Sequence, residues 1–211
     1  MKNLIEKSKG IMKKQTVMII LLVVALFFTA LYIGVLARPI SYGMAYSGSI
    51  AVEGETPVDL TIKFKNSEVM VYSASGEEQG QKVEMEVEFF IITNGNKFMP
   101  VGIKGDGTGD TITQEEYDAT VAGLKADKEA WDAIWASEDV DKINAFSMTM
   151  EGEDMTCNGA IAFAVVMGLV TVASIVFAGL SLNLYIKDKK AGSQTVVTDE
   201  HPDKNEEQGA N

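Results

Sequence analysis

The sequence predicts a membrane α-helical hairpin: two transmembrane (TM) helices joined by an extracytoplasmic α+β domain, an antiparallel β-meander with a helical insertion. Three observations predict it. Two uncharged apolar stretches, residues 16–37 and 160–186, each exceed the roughly 20 residues that cross a ~30 Å hydrocarbon core at 1.5 Å per residue. Lysines crowd the far flank of both stretches. Between them, apolar and polar residues alternate with the period of a half-buried strand.

Residues 1–15 form a basic start, with Lys2, Lys7, Lys9, Lys13 and Lys14 against Glu6. Lys187, Lys189 and Lys190 follow the second stretch, opposed by Asp188. Short lysine-rich flanks stay cytoplasmic, so both termini are expected inside and residues 38–157 outside. A cleaved signal peptide is the alternative for the first stretch. The basic start and the small residue ending Val35-Leu36-Ala37 suit it. Its length exceeds the roughly 7–15 residues of a signal's apolar region, and Pro39 sits just past the cut. No lipobox cysteine follows the stretch, which removes a lipoprotein reading.

The outward segment carries nine basic and 23 acidic residues, a net of −14 within a chain total of −12. That balance argues against nucleic acid, which needs clustered Lys and Arg. It also argues against the domain lying on anionic lipid. The single cysteine, Cys157, forms no disulfide within the chain. It reads as a small residue at the membrane entry, with an intermolecular bridge or acyl site as the sharper alternative. The chain contains no Asn-x-Ser/Thr sequon, and together these absences favour a prokaryotic envelope and cell membrane.

Along the domain, a short strand at 50–52 with a turn at Gly54 comes first. Val58, Leu60, Ile62 and Phe64 then alternate with Asp59, Thr61, Lys63 and Lys65, a strand with one buried face. A second strand covers 68–72, and residues 73–81 read as a Gly/Ser/Glu loop. Val83, Met85, Val87 and Phe89 alternate with Glu84, Glu86 and Glu88. Asn94-Gly95 predicts a hairpin turn, because both residues tolerate positive φ. The return strand, 97–103, holds Pro100, which suits an edge or a bulge. Thr113-Gln114-Glu115-Glu116 has capping-box form and opens a helix over about 113–136. A last strand over 143–150 returns the chain to the second span. The tail, 187–211, is too polar to offset its own ordering entropy and is expected to be disordered.

The candidate chemistry is sparse. The only histidine, His201, lies in the tail, which excludes histidine triads and histidine-ligated metal in the domain. Glu84, Glu86 and Glu88 on one strand face read as a solvated face; catalytic carboxylate pairs come from facing elements. Asp106 and Asp110 lie in a Gly-rich loop without calcium-loop spacing, so whether they bind a cation stays open. No cofactor or metal site is expected. Small residues in the spans are more telling. Ala160, Ala164 and Gly168 form one row and Ala30 and Gly34 another, as helix packing in lipid prefers. The two spans packing on each other is the favoured reading, and recruitment of a membrane-protein partner the alternative. Asn183 is a mild polar intrusion near the inner end. Tyr117, Val121, Leu124, Trp131 and Trp135 share one helical stripe, a core face or a partner surface.

The Tyr46-Ser47-Gly48 start followed by alternating strands resembles small extracytoplasmic β-meander domains of Gram-positive bacteria, and implies that fold without assigning any residue a role. Two spans with inward termini are also similar to ion-channel auxiliary β subunits, but the loop cysteines and sequons of that family are missing. The function expected is therefore non-enzymatic: a membrane-anchored extracytoplasmic binding or accessory subunit of an envelope or transport complex. A transmembrane sensor coupled to the tail is the second reading, and a carboxylate-dependent enzyme the third.

Overall fold

A computed structural model describes residues 2–12, 14–51, 56–78, 80–150 and 152–195. The expected strand end at Val52, the turn at Gly54, His201 and tail residues 196–211 lie outside the described residues. Among those described, the chain forms α1 (Lys2–Met12), α2 (Gln15–Leu36), β1 (Ala45–Ile50), β2 (Val58–Phe64), β3 (Val69–Glu78), β4 (Gln81–Asn94) and β5 (Lys97–Lys104). There follow β6 (Thr111–Ile112), α3 (Gln114–Ala126), α4 (Lys128–Ala136), β7 (Asp141–Lys142), β8 (Ser147–Met150), β9 (Glu153–Thr156) and α5 (Asn158–Thr195). Two compact units result, Met1–Tyr32 with Met167–Asn211, and Ile33–Val166.

Gln15–Leu36 and Asn158–Ala191 are long and apolar enough to cross a membrane. Val23, Leu26, Phe27, Leu169 and Val172 are each more than half exposed. So much apolar surface is unfavourable in water. The contact face differs. Shielded positions include Met18, Leu21, Ala25, Phe28 and Tyr32 on α2, and Met167, Thr171, Ser174, Ala178 and Ser181 on α5. Their alternating spacing of three and four residues is that of a coiled-coil seam. The Thr171 hydroxyl lies 2.8 Å from the Met167 carbonyl and 3.2 Å from that of Phe28. Ser181, fully buried, donates to the Met12 carbonyl at 2.7 Å. An unbonded hydroxyl is costly in apolar surroundings, so these bonds help fix the register of the pair. α5 continues to Thr195, beyond the expected start of the disordered tail. Lys187, Lys189, Lys190 and Ala191 are good helix formers, and extending a preformed helix avoids the cost of nucleation.

The sheet unit orders its strands β6-β5-β4-β3-β2-β1-β9-β8. Strands β1 to β5 are the expected meander, with β6 parallel to β5. The hairpin turn falls on Gly95-Asn96, between the paired Asn94 and Lys97. Gly95 supplies the positive φ of 63°. Pro100 sits where the β4–β5 register slips by a bulge, a place where a missing N–H costs no ladder bond. Of residues 73–81, expected as a loop, 73–78 and 81 instead extend the ladder: β3 and β4 pair from Val69↔Phe90 to Glu78↔Gln81. Ser, Ala and Gly are weak strand formers alone, and the long alternating partner strand overrides them. The single expected last strand is a hairpin, β8 and β9, turning at Gly152 with φ 87°. β7 pairs with β5 while Ile143 bridges Met148, so this short segment links β5 to β8 and curls the sheet back on itself.

The curl encloses one core, in which Tyr46, Ile62, Phe64, Ile91, Phe98, Met148 and Met155 are buried. Tyr46 and Phe98 each meet Phe64 edge to face, with ring centres 5.7 and 5.2 Å away. The Tyr46 hydroxyl donates to the Asn144 carbonyl at 2.6 Å and accepts the Ser41 N–H at 3.1 Å. Burial pushes its pKa above the ordinary tyrosine value. The other face of β4 and β5 packs on α3 and α4, burying Phe90, Ile92, Tyr117, Trp135 and Val140. Thr113 caps α3 through both halves of a capping box with Glu116. The expected single helix breaks at Asp127, whose carboxylate accepts the Ala130 N–H at 3.0 Å and starts α4.

Candidate functional site

The ladder of β3 and β4 runs well past the core and makes an arm. β5 pairs with β4 only from Phe89↔Ile103 to Asn94↔Lys97. Residues 81–88 therefore have β3 on one side and, among the described residues, no strand on the other. Register divides the arm into two faces. Leu60, Ala74 and Met85 are cross-strand neighbours on one, with Gly76 and Val83 next to them. Asp59, Ser75 and Glu84, then Thr61, Ser73 and Glu86, lie on the other.

The first face is apolar and open. Val58, Val83 and Met85 are 37, 47 and 51% exposed, around a shallow hollow of about 300 Å³ that Ala74 and Gly76 also line. The second face holds a hollow of about 350 Å³ lined by Asp59, Thr61, Ser73, Glu84 and Glu86. Lys82 hydrogen-bonds Glu84 at 2.5 Å and holds its pKa low. A Lys65 hydrogen bond, with Lys104 adding to it, holds Glu88 low. Hydrogen bonds from the Thr108 hydroxyl and N–H do the same for Asp106, and those from the Thr113 N–H and hydroxyl for Glu116. Where a carboxylate is shifted here, it is held ionised rather than kept protonated as a general acid. The arm offers charge, an apolar strip and an open strand edge, which are the elements of recognition.

The helical stripe is divided. Tyr117 and Trp135 are buried against the sheet, while Val121, Leu124 and Trp131 are half-buried. Val121 and Trp131, with Tyr117 and Lys125, line a groove of about 380 Å³ beside Ile92 and Thr93. Lys125 stands 5.7 Å above the Trp131 ring. The Tyr117 hydroxyl donates to the Ile91 carbonyl at 2.8 Å. Its pKa is pushed up to about 12, by burial first and then by Glu68 and Asp118. A raised folded-state pKa leaves stability intact below the unfolded value near 10 and removes it as pH climbs toward 12. Tyr117→Phe should therefore be less stable than the parent at neutral pH and lose less between pH 10 and 12. Urea midpoints across that range check it, and parallel pH profiles would refute it.

The other sequence-derived positions are dispersed. Ala160 and Cys157 are buried in the sheet unit's core, and the Cys157 N–H donates to the Phe146 carbonyl at 2.7 Å. Ala164 is buried too. At Gly168 an added Cβ would lie 3.2–3.4 Å from the Tyr32 ring and hydroxyl. Ala30 and Gly34 are exposed, with nothing within 4 Å of a Cβ at Gly34. Asn183 is exposed. Asp106 bonds Thr108, and Asp110 is exposed in the same loop. Among the described residues no group of three acidic, histidine or cysteine side chains is placed to hold a metal. Alternation alone marked Val83, Met85 and the three glutamates, but not their free edge. No family model, curated protein or solved structure matches the chain.

Proposed function

We propose that the chain is a non-enzymatic, membrane-anchored binding or accessory subunit that captures an extended segment of a partner protein on its β3–β4 arm. Val83 and Met85, about half exposed on a strand with one free edge, carry this reading. A strand added to residues 81–88 gains main-chain hydrogen bonds and sets its alternate side chains on the arm's two faces. The fitting partner has apolar residues to lie beside Val83 and Met85, and Lys or Arg to lie beside Glu84 and Glu86. Those glutamates also repel the same edge of a second copy, while the domain's negative charge steers a basic partner inward. The lysines that precede the first span and follow the second support cytoplasmic termini and an outward sheet unit. The seam between α2 and α5 supports the two spans packing on each other.

The test places a photo-cross-linking residue at Val83, Met85 or, as a control, Glu129 in the full chain in its native membrane. Adducts to the same protein are expected from 83 and 85 and not from 129. They should fall several-fold when Glu84→Lys and Glu86→Lys reverse the acidic face, and weaken with salt. Adducts that ignore both the charge reversal and salt, or that form equally from 129, would move recognition off the arm.

A further inference from the structure

We propose that α1 is a second membrane contact, an amphipathic helix lying on an anionic lipid surface at the lysine-rich end of the helical pair; this rests on the membrane reading above. At about 100° per residue, Ile11, Leu4, Ser8, Met12 and Ile5 share an arc of roughly 120°. Leu4, Ile5 and Ile11 are 73, 50 and 48% exposed. Ser8, the arc's polar member, turns its hydroxyl onto the Ile5 carbonyl at 2.8 Å, so the strip presents a bonded rather than an open donor. Lys7 and Lys9 border the arc on opposite sides and are exposed, and Lys14 follows at the bend before α2. A helix with an apolar strip between lysines matches an interface where strip meets acyl chains and ammonium groups meet phosphates.

Two further observations set its place. The buried Ser181 hydroxyl bonds the Met12 carbonyl, so the last turn of α1 is pinned to α5. Lys187 and Lys190 lie only about 9–14 Å further along α5 at 1.5 Å per residue. The basic residues of both helices thus gather at one end. Anionic headgroups complement that charge on both sides of the strip. A protein groove would need acidic walls along both flanks at once.

Spin labels at Leu4→Cys, Glu6→Cys and Ile11→Cys, in the full chain carrying Cys157→Ala, provide the test. The chain is reconstituted in phosphatidylcholine vesicles with and without phosphatidylglycerol, and collisions with oxygen and with a water-soluble nickel complex are compared. With phosphatidylglycerol, labels at 4 and 11 should read lipid and the label at 6 should read water. Each lysine near the surface is worth about fivefold in the bound-to-free ratio of the helix. Lys7→Glu with Lys9→Glu should therefore return positions 4 and 11 to water. Equal water access at 4, 6 and 11 overturns the proposal. So does protection indifferent to phosphatidylglycerol and to the charge reversal, which would mean that the strip is covered without any help from the lysines. A label at Val23→Cys in mid-α2 separates the two readings: lipid there with α1 in water sinks only this inference, whereas water there sinks the membrane reading itself.

Discussion

Phe64→Ala should lower the unfolding free energy of the chain by about 3–5 kcal/mol, the range for truncating a fully buried aromatic. Phe64 is 0% exposed and ends β2 where the curled sheet closes its core. Its ring is the middle member of an edge-to-face series between Tyr46 and Phe98, which come from β1 and β5. Removing it leaves a cavity and deletes two aromatic contacts, each worth about 0.5–1.5 kcal/mol beyond area burial. The Tyr46 ring also holds the hydroxyl that ties residue 41 to residue 144, so relaxation into the cavity would strain those bonds. Val83→Ala, on the open face of the arm, is the matched control and should change stability by about 0.5 kcal/mol or less. Urea unfolding of the full chain in mild detergent, followed by tryptophan fluorescence, measures both. A loss below about 1 kcal/mol at Phe64 would show that the core does not depend on this aromatic series.

The meander was legible because alternation over Val58–Phe64 encodes a strand with one buried face, because that over Val83–Phe89 encodes a strand, though Val83 and Met85 lie open, and because Gly95 sits at a turn that needs positive φ. Thr113 and Glu116 were legible for a similar reason: capping chemistry is local. What was hidden depends on partners distant in sequence. Residues 73–78 read as part of a loop because their strand character comes from pairing with β4, not from Ser73, Ala74 and Gly76 themselves. The closing contacts of β7 with β5 and Ile143 with Met148 involve segments too short to carry a periodic signal. The break at Asp127 is hidden by an apolar stripe that continues across it, although Asp is itself a good cap. Alternation marks the arm's apolar residues as strand positions, and only the end of β5 pairing shows that their outer edge is open. In α1 the strip spans barely three turns, short enough for the lysines to dominate the reading of that segment as a basic start.

Gly168→Leu should loosen the α2–α5 pair, while Gly34→Leu and Ala30→Leu should not. Four-residue spacing of small side chains marks both rows equally, so the distinction comes from the structure. A Cβ at 168 would already stand 3.2 Å from the Tyr32 hydroxyl and 3.3–3.4 Å from its ring. The branched end of leucine has nowhere to go without displacing Tyr32, and overpacking of that kind costs about 1–3 kcal/mol. Its effect should spread along the seam, because Thr171, one turn away, contacts the Phe28 carbonyl at 3.2 Å. At Gly34 an added Cβ meets nothing within 4 Å, and Ala30 is likewise exposed; leucine at either would extend away from the seam. The readout is a disulfide between Phe28→Cys and Thr171→Cys in the Cys157→Ala background. Oxidation should be rapid in that parent, sharply slowed by Gly168→Leu, and unchanged by Ala30→Leu or Gly34→Leu. Slowing by Gly34→Leu to the same degree would place the seam on the Ala30 side of α2 instead. That side is free in the isolated chain, so an effect of Gly34→Leu confined to the native membrane, with the disulfide intact, would identify it as the face that meets another membrane protein.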